Sequence, residues 1–172
     1  MPSKPKKRPQ ALDSLVLENV VSRLLPSVRT WLEEQGNVIS DKDEQGVFDV
    51  LIELLHHQGG RWDGYELARA LEDQEWRPDS TLVEILNDSR RTCLHCLREA
   101  TIRWAADGYV ELTHKEGESV WFQLYPKEPS MCGQIVELHP ETLEYSVLVN
   151  DISLLVPEEA IDKDEDLDEG LV

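Results

Sequence analysis

The sequence predicts an α+β protein in which helices come first and strands follow. Between residues 12 and 106, apolar side chains recur at intervals of three and four, the period of amphipathic helices. After Gly108 they alternate with polar side chains, which is typical of strands with one buried face. The 172 residues suffice for one domain with an appendage or for two small domains.

Acidic residues outnumber basic ones throughout most of the chain. The sequence has 35 acidic and 17 basic residues, a net charge of −18. Residues 1–10 carry four bases and residues 162–172 are rich in acids, so we predict a disordered tail at each end. The body between them is also acidic and repels phosphate at long range, which disfavours tight nonspecific nucleic-acid binding. A locally basic face is still possible.

The first predicted helix occupies residues 11–36 and is amphipathic. Pro26 lacks an N–H group, so we expect a kink there, after which the helix resumes until Gly36. This segment would pack on the main domain or form a homodimer with a second copy. Its apolar stripe begins with Val16, Leu17, Val20, Val21 and Leu24.

Two helices are predicted between residues 43 and 72. The first begins at Asp43 or Glu44, since acids suit a helix N-terminus, and ends at Gly59-Gly60. Asp63 is placed to cap the second. The core face of the second helix is predicted to consist of Tyr65, Leu67, Ala68 and Leu71.

The last helical region is predicted to be interrupted. A brief helical run over Leu82–Leu86 follows Pro78, and Asp88 or Ser89 then caps a longer helix that ends near Ala106. The core face of the longer helix is predicted to contain Cys93, Leu97, Ala100 and Trp104.

Five strands are predicted after this helix. Residues 109–113 and 119–125 alternate around a turn and predict a β-hairpin. Residues 134–138, 145–149 and 152–156 predict a small antiparallel meander within residues 128–161. A meander of this size is marginal alone, so we expect it to pack on the helices or on a partner.

The order of elements in this region resembles that of the winged-helix superfamily. The stretch that carries the resemblance runs from Ser89-Arg90-Arg91-Thr92-Cys93 through Trp104 to Asp107-Gly108-Tyr109-Val110. The resemblance covers residues 44–126 and implies a winged-helix domain at residues 37–127. In that family the helix before the wing often enters the DNA major groove, and the wing touches the backbone. The run over Leu82–Leu86 departs from the short turn that many members have there.

The exposed side of the 90–106 helix is predicted to be basic. On a helical wheel, Arg91, His95 and Arg98 lie opposite the cysteine face. DNA contact would use this face together with a lysine of the wing. Alternatively, the arginines pair with nearby acids on a solvated face, or they contact a protein partner. The candidate nucleic-acid-binding residues are Arg90, Arg91, Thr92, His95, Arg98 and Lys115.

We predict no metal, no cofactor and no disulfide. Cys93-Leu94-His95-Cys96 is similar to half of a zinc site, but the sequence lacks a second CxxC or an HxxxH. Cys93 and Cys96 are therefore expected to be buried, reduced thiols. The sequence also lacks the GxSxG, HExxH and phosphate-loop motifs, so we do not expect an enzyme.

Two functions are compatible with these features. One is a non-catalytic winged-helix regulator or accessory subunit that contacts DNA through the basic helix face. The other is an acidic adaptor or inhibitor that binds a basic protein partner without binding DNA. The sequence contains no apolar run of about 18 residues and no secretory pattern, so we expect a cytoplasmic protein without a membrane segment.

Overall fold

The computed structural model describes residues 7–37, 40–60, 62–108, 110–125 and 127–162. They form four helices, a four-stranded antiparallel sheet and a short 3-10 helix, which confirms the α+β class. The elements are α1 Ser14–Glu34, α2 Asp41–His57, α3 Gly64–Glu72, α4 Ser80–Ala106, β1 Ser119–Phe122, β2 Met131–His139, β3 Glu144–Val149, β4 Ile152–Pro157 and the 3-10 helix Glu158–Ala160.

The chain divides into two compact units. Arg8–Ala100 form the first, called here the helical unit. Lys7 and the described residues of Thr101–Val172 form the second, called here the β unit. The strand Ser119–Phe122, which the sequence grouped with residues 37–127, lies in the same sheet as the meander.

Helix α1 is continuous across Pro26. The predicted amphipathic stripe is confirmed, but the two pieces form one helix, because the apolar side chains before and after Pro26 pack into one core. That core already covers the stripe, so a second copy would have to bind another surface. The buried residues of α1 are Val16, Leu17, Val20, Val21, Leu24, Val28 and Trp31.

Helix α2 begins earlier than the sequence predicts. Ser40 caps it, and neither Asp43 nor Glu44 does. The Ser40 hydroxyl accepts a hydrogen bond from the Asp43 backbone N–H at 3.4 Å, and the Asp43 carboxylate accepts one from the Ser40 backbone N–H at 3.1 Å. This is a capping box, in which the acid lies inside the first turn.

Helix α3 begins at the predicted cap. The Asp63 carboxylate accepts hydrogen bonds from the backbone N–H groups of Tyr65 and Glu66 at 3.0 and 3.2 Å. Tyr65 was predicted to lie in the core, and this is wrong, because it is 64% exposed. At about 100° per residue, Tyr65 lies more than roughly 100° from the centre of the buried face. That face consists of Leu67, Ala68 and Leu71.

The predicted interruption before the last helix is absent. Ser80–Ala106 form one helix, and Ser89 is completely buried within it. The Ser89 hydroxyl donates to the Leu86 carbonyl at 2.6 Å, and the Asn87 side chain accepts from the Gly64 N–H at 2.9 Å. Both side chains therefore make their hydrogen bonds within a continuous helix or to its neighbour, and neither marks the start of a new helix.

None of the helices in the described ranges is long and apolar enough to cross a membrane.

The predicted meander is confirmed as β2, β3 and β4, but the hairpin preceding it is wrong. Strand β1 pairs with β2, where Ser119 lies opposite Gln134 and Phe122 opposite Met131. Residues 110–113 form no strand, and Tyr109 lies outside the described residues. The sheet therefore has the order β1-β2-β3-β4.

Later parts of the β unit provide the hydrogen bonds that the hairpin would have made. The Thr113 N–H donates to the Tyr145 hydroxyl at 3.0 Å. The Gly117 N–H donates to the Ile135 carbonyl at 2.8 Å, and the Ile135 N–H donates to the Glu118 carbonyl at 2.9 Å. The described part of the segment before β1 thus bonds to β2 and β3, and residues 110–113 do not form the predicted hairpin with β1.

The second edge of β1 is also paired. Phe122 forms an antiparallel bridge with Ile161, which follows the 3-10 helix. The Gln123 N–H donates to the Ala160 carbonyl at 3.0 Å, and the Asp162 N–H donates to the Trp121 carbonyl at 2.9 Å. The sheet encloses a core of Val120, Phe122, Ile135, Tyr145, Val147, Val156 and Ile161.

Strands β2 and β3 approach closely at Gly133. A Cβ atom on this residue would lie 2.6 Å from Val147 Cγ1 and 2.7 Å from the Leu148 carbonyl oxygen. Both distances are shorter than van der Waals contact, so only glycine fits without movement of β3.

Two glycine substitutions test the helical packing in opposite directions. We expect Gly64→Ala to lower the free energy of unfolding by about 1–3 kcal/mol, since its Cβ would lie 2.4 Å from the Val83 carbonyl oxygen. The matched control, Gly46→Ala inside α2, has open space and should raise it by about 0.5–1 kcal/mol. Urea unfolding measures both, and a stabilised Gly64→Ala variant would contradict the contact between α3 and α4.

Candidate functional site

The structure exposes most of the predicted basic residues on α4. Arg90, Arg91, His95 and Arg98 are exposed, and Thr92 is half-buried. The opposite side of the helix contains the buried Cys93 and Cys96. Lys115, the sixth predicted residue, is exposed but belongs to the β unit.

Carboxylates accompany the cations on this face. Arg91 lies 3.1 Å from Asp88, and its side chain is 83% exposed. His95 lies 3.1 Å from Glu99, which also accepts a hydrogen bond at 2.7 Å from Arg23 of α1. Exposed ion pairs stabilise a fold weakly, but each acid reduces the local positive potential that phosphate would meet. For Arg91, this geometry matches the alternative of a solvated, paired helix face.

The cysteines occupy two environments. Cys93 and Cys96 are 3% and 2% exposed in the helical core, whereas Cys132 on β2 is exposed. Burial, together with the nearby Cys96, raises the pKa of the Cys93 thiol to about 11. Within the described ranges, no group of three or more His, Cys, Asp and Glu side chains is arranged to hold a metal ion.

The helical unit has a cavity beside two stacked tryptophans. The rings of Trp31 and Trp76 lie 6.1 Å apart with planes 6° from parallel. Asp79 fixes Trp31 by accepting hydrogen bonds from its indole N–H at 2.9 Å and from Gln35 at 3.0 Å. The cavity has a volume of about 450 Å³ and is lined by Trp31, Leu32, Gln35, Asn37, Glu75, Trp76 and Arg77. One acid and one base line it, so its charge is mixed.

A second cavity of the protein lies in the β unit and is called here the Trp121 cavity. Its volume is about 380 Å³. It combines an indole that is 47% exposed with two carboxylates, those of Glu118 and Asp162. Among the residues that the structure describes, its lining contains no lysine or arginine. The lining residues are His114, Glu118, Ser119, Val120, Trp121, Ile161 and Asp162.

Strand pairing fixes the backbone of each wall of the Trp121 cavity. Glu118 is bonded through its carbonyl to β2, and Asp162 is bonded through its N–H to the Trp121 carbonyl at 2.9 Å. The His114 ring Nδ1 lies 3.2 Å from a Glu118 carboxylate oxygen. The His114 backbone N–H donates to the hydroxyl of Tyr145 at 3.1 Å.

Tyr145 links the segment before β1 to the end of the sheet. Its hydroxyl accepts from the N–H groups of Thr113 and His114 and donates to the Glu158 carboxylate. Burial, and then the bond to Glu158, raise the pKa of Tyr145 to about 12, so the hydroxyl keeps its proton at neutral pH. The hydroxyl oxygen, which accepts from the His114 N–H, holds the backbone of one residue that lines the Trp121 cavity.

Sequence reasoning did not identify the Trp121 cavity. Glu118, Trp121 and Asp162 carry no motif, and Asp162 was assigned to the acidic tail. One local signal was present: in the alternation Val120-Trp121-Phe122, the tryptophan lies on the face opposite its buried neighbours.

Thiol labelling tests the two cysteine environments. At pH 8, a pKa of about 11 leaves roughly one Cys93 in a thousand as the reactive thiolate. We expect iodoacetamide to modify Cys132 in the native protein and Cys93 or Cys96 only after denaturation, as read by peptide mass spectrometry. Native labelling of Cys93 as fast as Cys132 would contradict the core packing of α4.

The Asp79 carboxylate predicts a dependence of stability on pH. Hydrogen bonds from the Leu82 backbone N–H and the Trp31 indole lower the pKa of Asp79 from its ordinary 3.8. Ionised Asp79 therefore stabilises the fold above pH 3.8, and this is lost as the pH falls through the folded-state pKa. We expect Asp79→Asn to lower Tm at pH 7, and we expect this decrease in Tm to become smaller as the pH is lowered. The exposed control Asp73→Asn should change Tm little. A Tm difference that is independent of pH would contradict this role.

The winged-helix resemblance depended on the order of helices and a following hairpin. The order of helices is present in α2, α3 and α4, but β1 pairs with β2 and not with residues 110–113. Comparison of this chain with protein-family models, with curated proteins and with solved structures finds no match.

Proposed function

We propose that this chain is a non-catalytic, acidic interaction protein that binds a basic segment of a partner protein. The observation that carries the proposal is the surface of the β unit, where negative charge and exposed apolar side chains occur together. Residues 101–162 contain 12 acidic and 3 basic residues, a net charge of −9, and residues 163–172, outside the described part of the chain, add a further −4. Such a surface attracts a basic partner at long range and offers apolar contact area at short range.

The exposed apolar residues of the β unit lie partly on one face of the sheet. Register and alternation place Trp121, Leu148 and Leu155 on the face opposite the core. They are 47%, 38% and 59% exposed. Tryptophan is a usual anchor of protein interfaces, and the two leucines add apolar contact area beside it.

A cytoplasmic location is part of this proposal. All three cysteines are free thiols, and Cys132 is exposed. Free exposed thiols are compatible with a reducing compartment.

A second candidate function is a DNA-associated regulator or accessory subunit of winged-helix type. It is favoured by the exposed basic residues on one side of α4, since a surface pair such as Arg91–Asp88 is weak enough to exchange for phosphate. In this case α4 would contact DNA through Arg90, Arg91, Thr92, His95 and Arg98, with Lys115 reaching the backbone. The net charge of −18 opposes it.

Fluorescence anisotropy with two probes separates the candidates. The probes are a labelled DNA duplex and a labelled peptide of arginine, glycine and serine, each titrated between about 50 and 200 mM salt. We expect the wild type to bind the peptide, more weakly as salt rises, and to leave the duplex unbound. The Arg91→Ala/Arg98→Ala variant should bind the peptide at least as well, because it is more acidic.

The opposite pattern would support the DNA-associated candidate. In that case the wild type binds the duplex with an affinity that falls steeply with salt, and the double variant loses this binding. Failure of the wild type to bind the basic peptide at the lowest salt would overturn the proposed function.

A further inference from the structure

We propose that the Trp121 cavity binds the guanidinium group of an arginine side chain in the basic segment of the partner. This inference rests on the proposed function and names the place on the β unit where recognition occurs. It follows from three properties of the cavity: an exposed indole, two carboxylates, and walls that strand pairing fixes.

The first property provides a surface for the cation. A guanidinium group placed over an indole is attracted by the negative charge above the ring, and tryptophan is the strongest of the aromatic side chains in this interaction. Trp121 is 47% exposed in the cavity wall. Its backbone is held on both sides, by β2 and by the Asp162 N–H. The strand that carries the ring is therefore already ordered before binding, so binding does not cost the entropy of ordering it.

The second property selects the charge of the ligand. Glu118 and Asp162 contribute two carboxylates. The described part of the lining contains no lysine or arginine beside them, and the His114 ring contacts Glu118 at 3.2 Å. These carboxylates repel an anionic group, and they bind a neutral donor less strongly than a cationic one. A guanidinium group is planar and presents paired N–H donors that match carboxylate oxygens, while the same plane stacks on an indole. Arginine therefore fits this combination better than lysine.

The chain itself extends the negative field beyond the cavity. Asp162 continues directly into a run that contains Asp164, Glu165, Asp166, Asp168 and Glu169 with a single base, Lys163. Basic residues that flank the bound arginine would therefore also be attracted.

The tryptophan cavity of the helical unit is a poorer match for a cation. It is larger, about 450 Å³, and Trp76 lines it, but Arg77 contributes a positive charge opposite Glu75. The charge of the lining therefore favours the Trp121 cavity.

The test uses the full chain and the same labelled peptide of arginine, glycine and serine. Glu118→Gln/Asp162→Asn removes both carboxylate charges with little change in shape, and we expect about a tenfold or greater loss of affinity. Trp121→Leu should lose about tenfold, and Trp121→Phe less, because a smaller ring retains part of the attraction. Thermal unfolding of each variant checks that the fold is retained.

The matched control is Glu128→Gln/Asp151→Asn, which makes the same change in net charge on the β unit at exposed positions outside the cavity lining. We expect it to lose less than about twofold. Equal losses in the two double variants would mean that the peptide senses only the overall charge, and the assignment of the cavity would be wrong. If Glu118→Gln/Asp162→Asn unfolds, the comparison of Trp121→Leu with Trp121→Phe decides in its place.

Probe chemistry separates this inference from the proposed function. A peptide with citrulline in place of arginine keeps the shape without the charge and should bind at least tenfold more weakly. A lysine peptide should bind more weakly than the arginine peptide, and equal binding would contradict the guanidinium assignment. If the wild type binds every basic peptide and no cavity variant weakens binding, this inference fails while the proposed function survives. If no basic peptide binds, both fail.

Discussion

Backbone hydrogen bonds along both edges of β1 determine the arrangement of the β unit. One edge pairs with β2. The other edge bonds to the segment around the end of the 3-10 helix, where the Gln123 N–H donates to the Ala160 carbonyl and the Asp162 N–H donates to the Trp121 carbonyl. Because the strand is enclosed in this way, Phe122 points into the core and Trp121 points away from it. The same pairing brings Asp162 beside Trp121, although some 40 residues separate them in the sequence. One short strand thus organises both the core and the candidate binding surface.

The distribution of charge explains why the basic face of α4 is a weaker basis for function than the sequence implied. Residues 8–100 contain 18 acidic and 10 basic residues, so even the helical unit has a net charge of −8. Its cations are spread among these acids, as the Arg91–Asp88 and Arg23–Glu99 pairs show. The β unit has few cations to offset its carboxylates. Long-range attraction of a basic partner therefore acts mainly on the β unit.

Local patterns in the sequence predicted the features that depend on local forces. The apolar stripe of α1, the Asp63 cap and the three strands of the meander follow from spacing within a few residues. The errors arose where hydrogen bonds that the apolar pattern does not reveal satisfy polar atoms. Ser89 was taken as a helix start, but its hydroxyl bonds inside a continuous helix. The strand predicted before β1 was lost because its backbone bonds to Tyr145, and the Trp121 cavity depends on the same long-range pairing.

The close approach of β2 and β3 at Gly133 constrains how this sequence can diverge. Any side chain there would collide with Val147 and with the backbone of Leu148, so a replacement requires the two strands to separate. Surface positions of the same strands, such as Gln134, face no comparable restriction. A homologous chain that keeps this sheet must therefore keep glycine at the corresponding position, even where the rest of the strand has drifted. An invariant glycine between a cysteine-bearing strand start and an aliphatic residue two places later would be an evolutionary marker of this β unit.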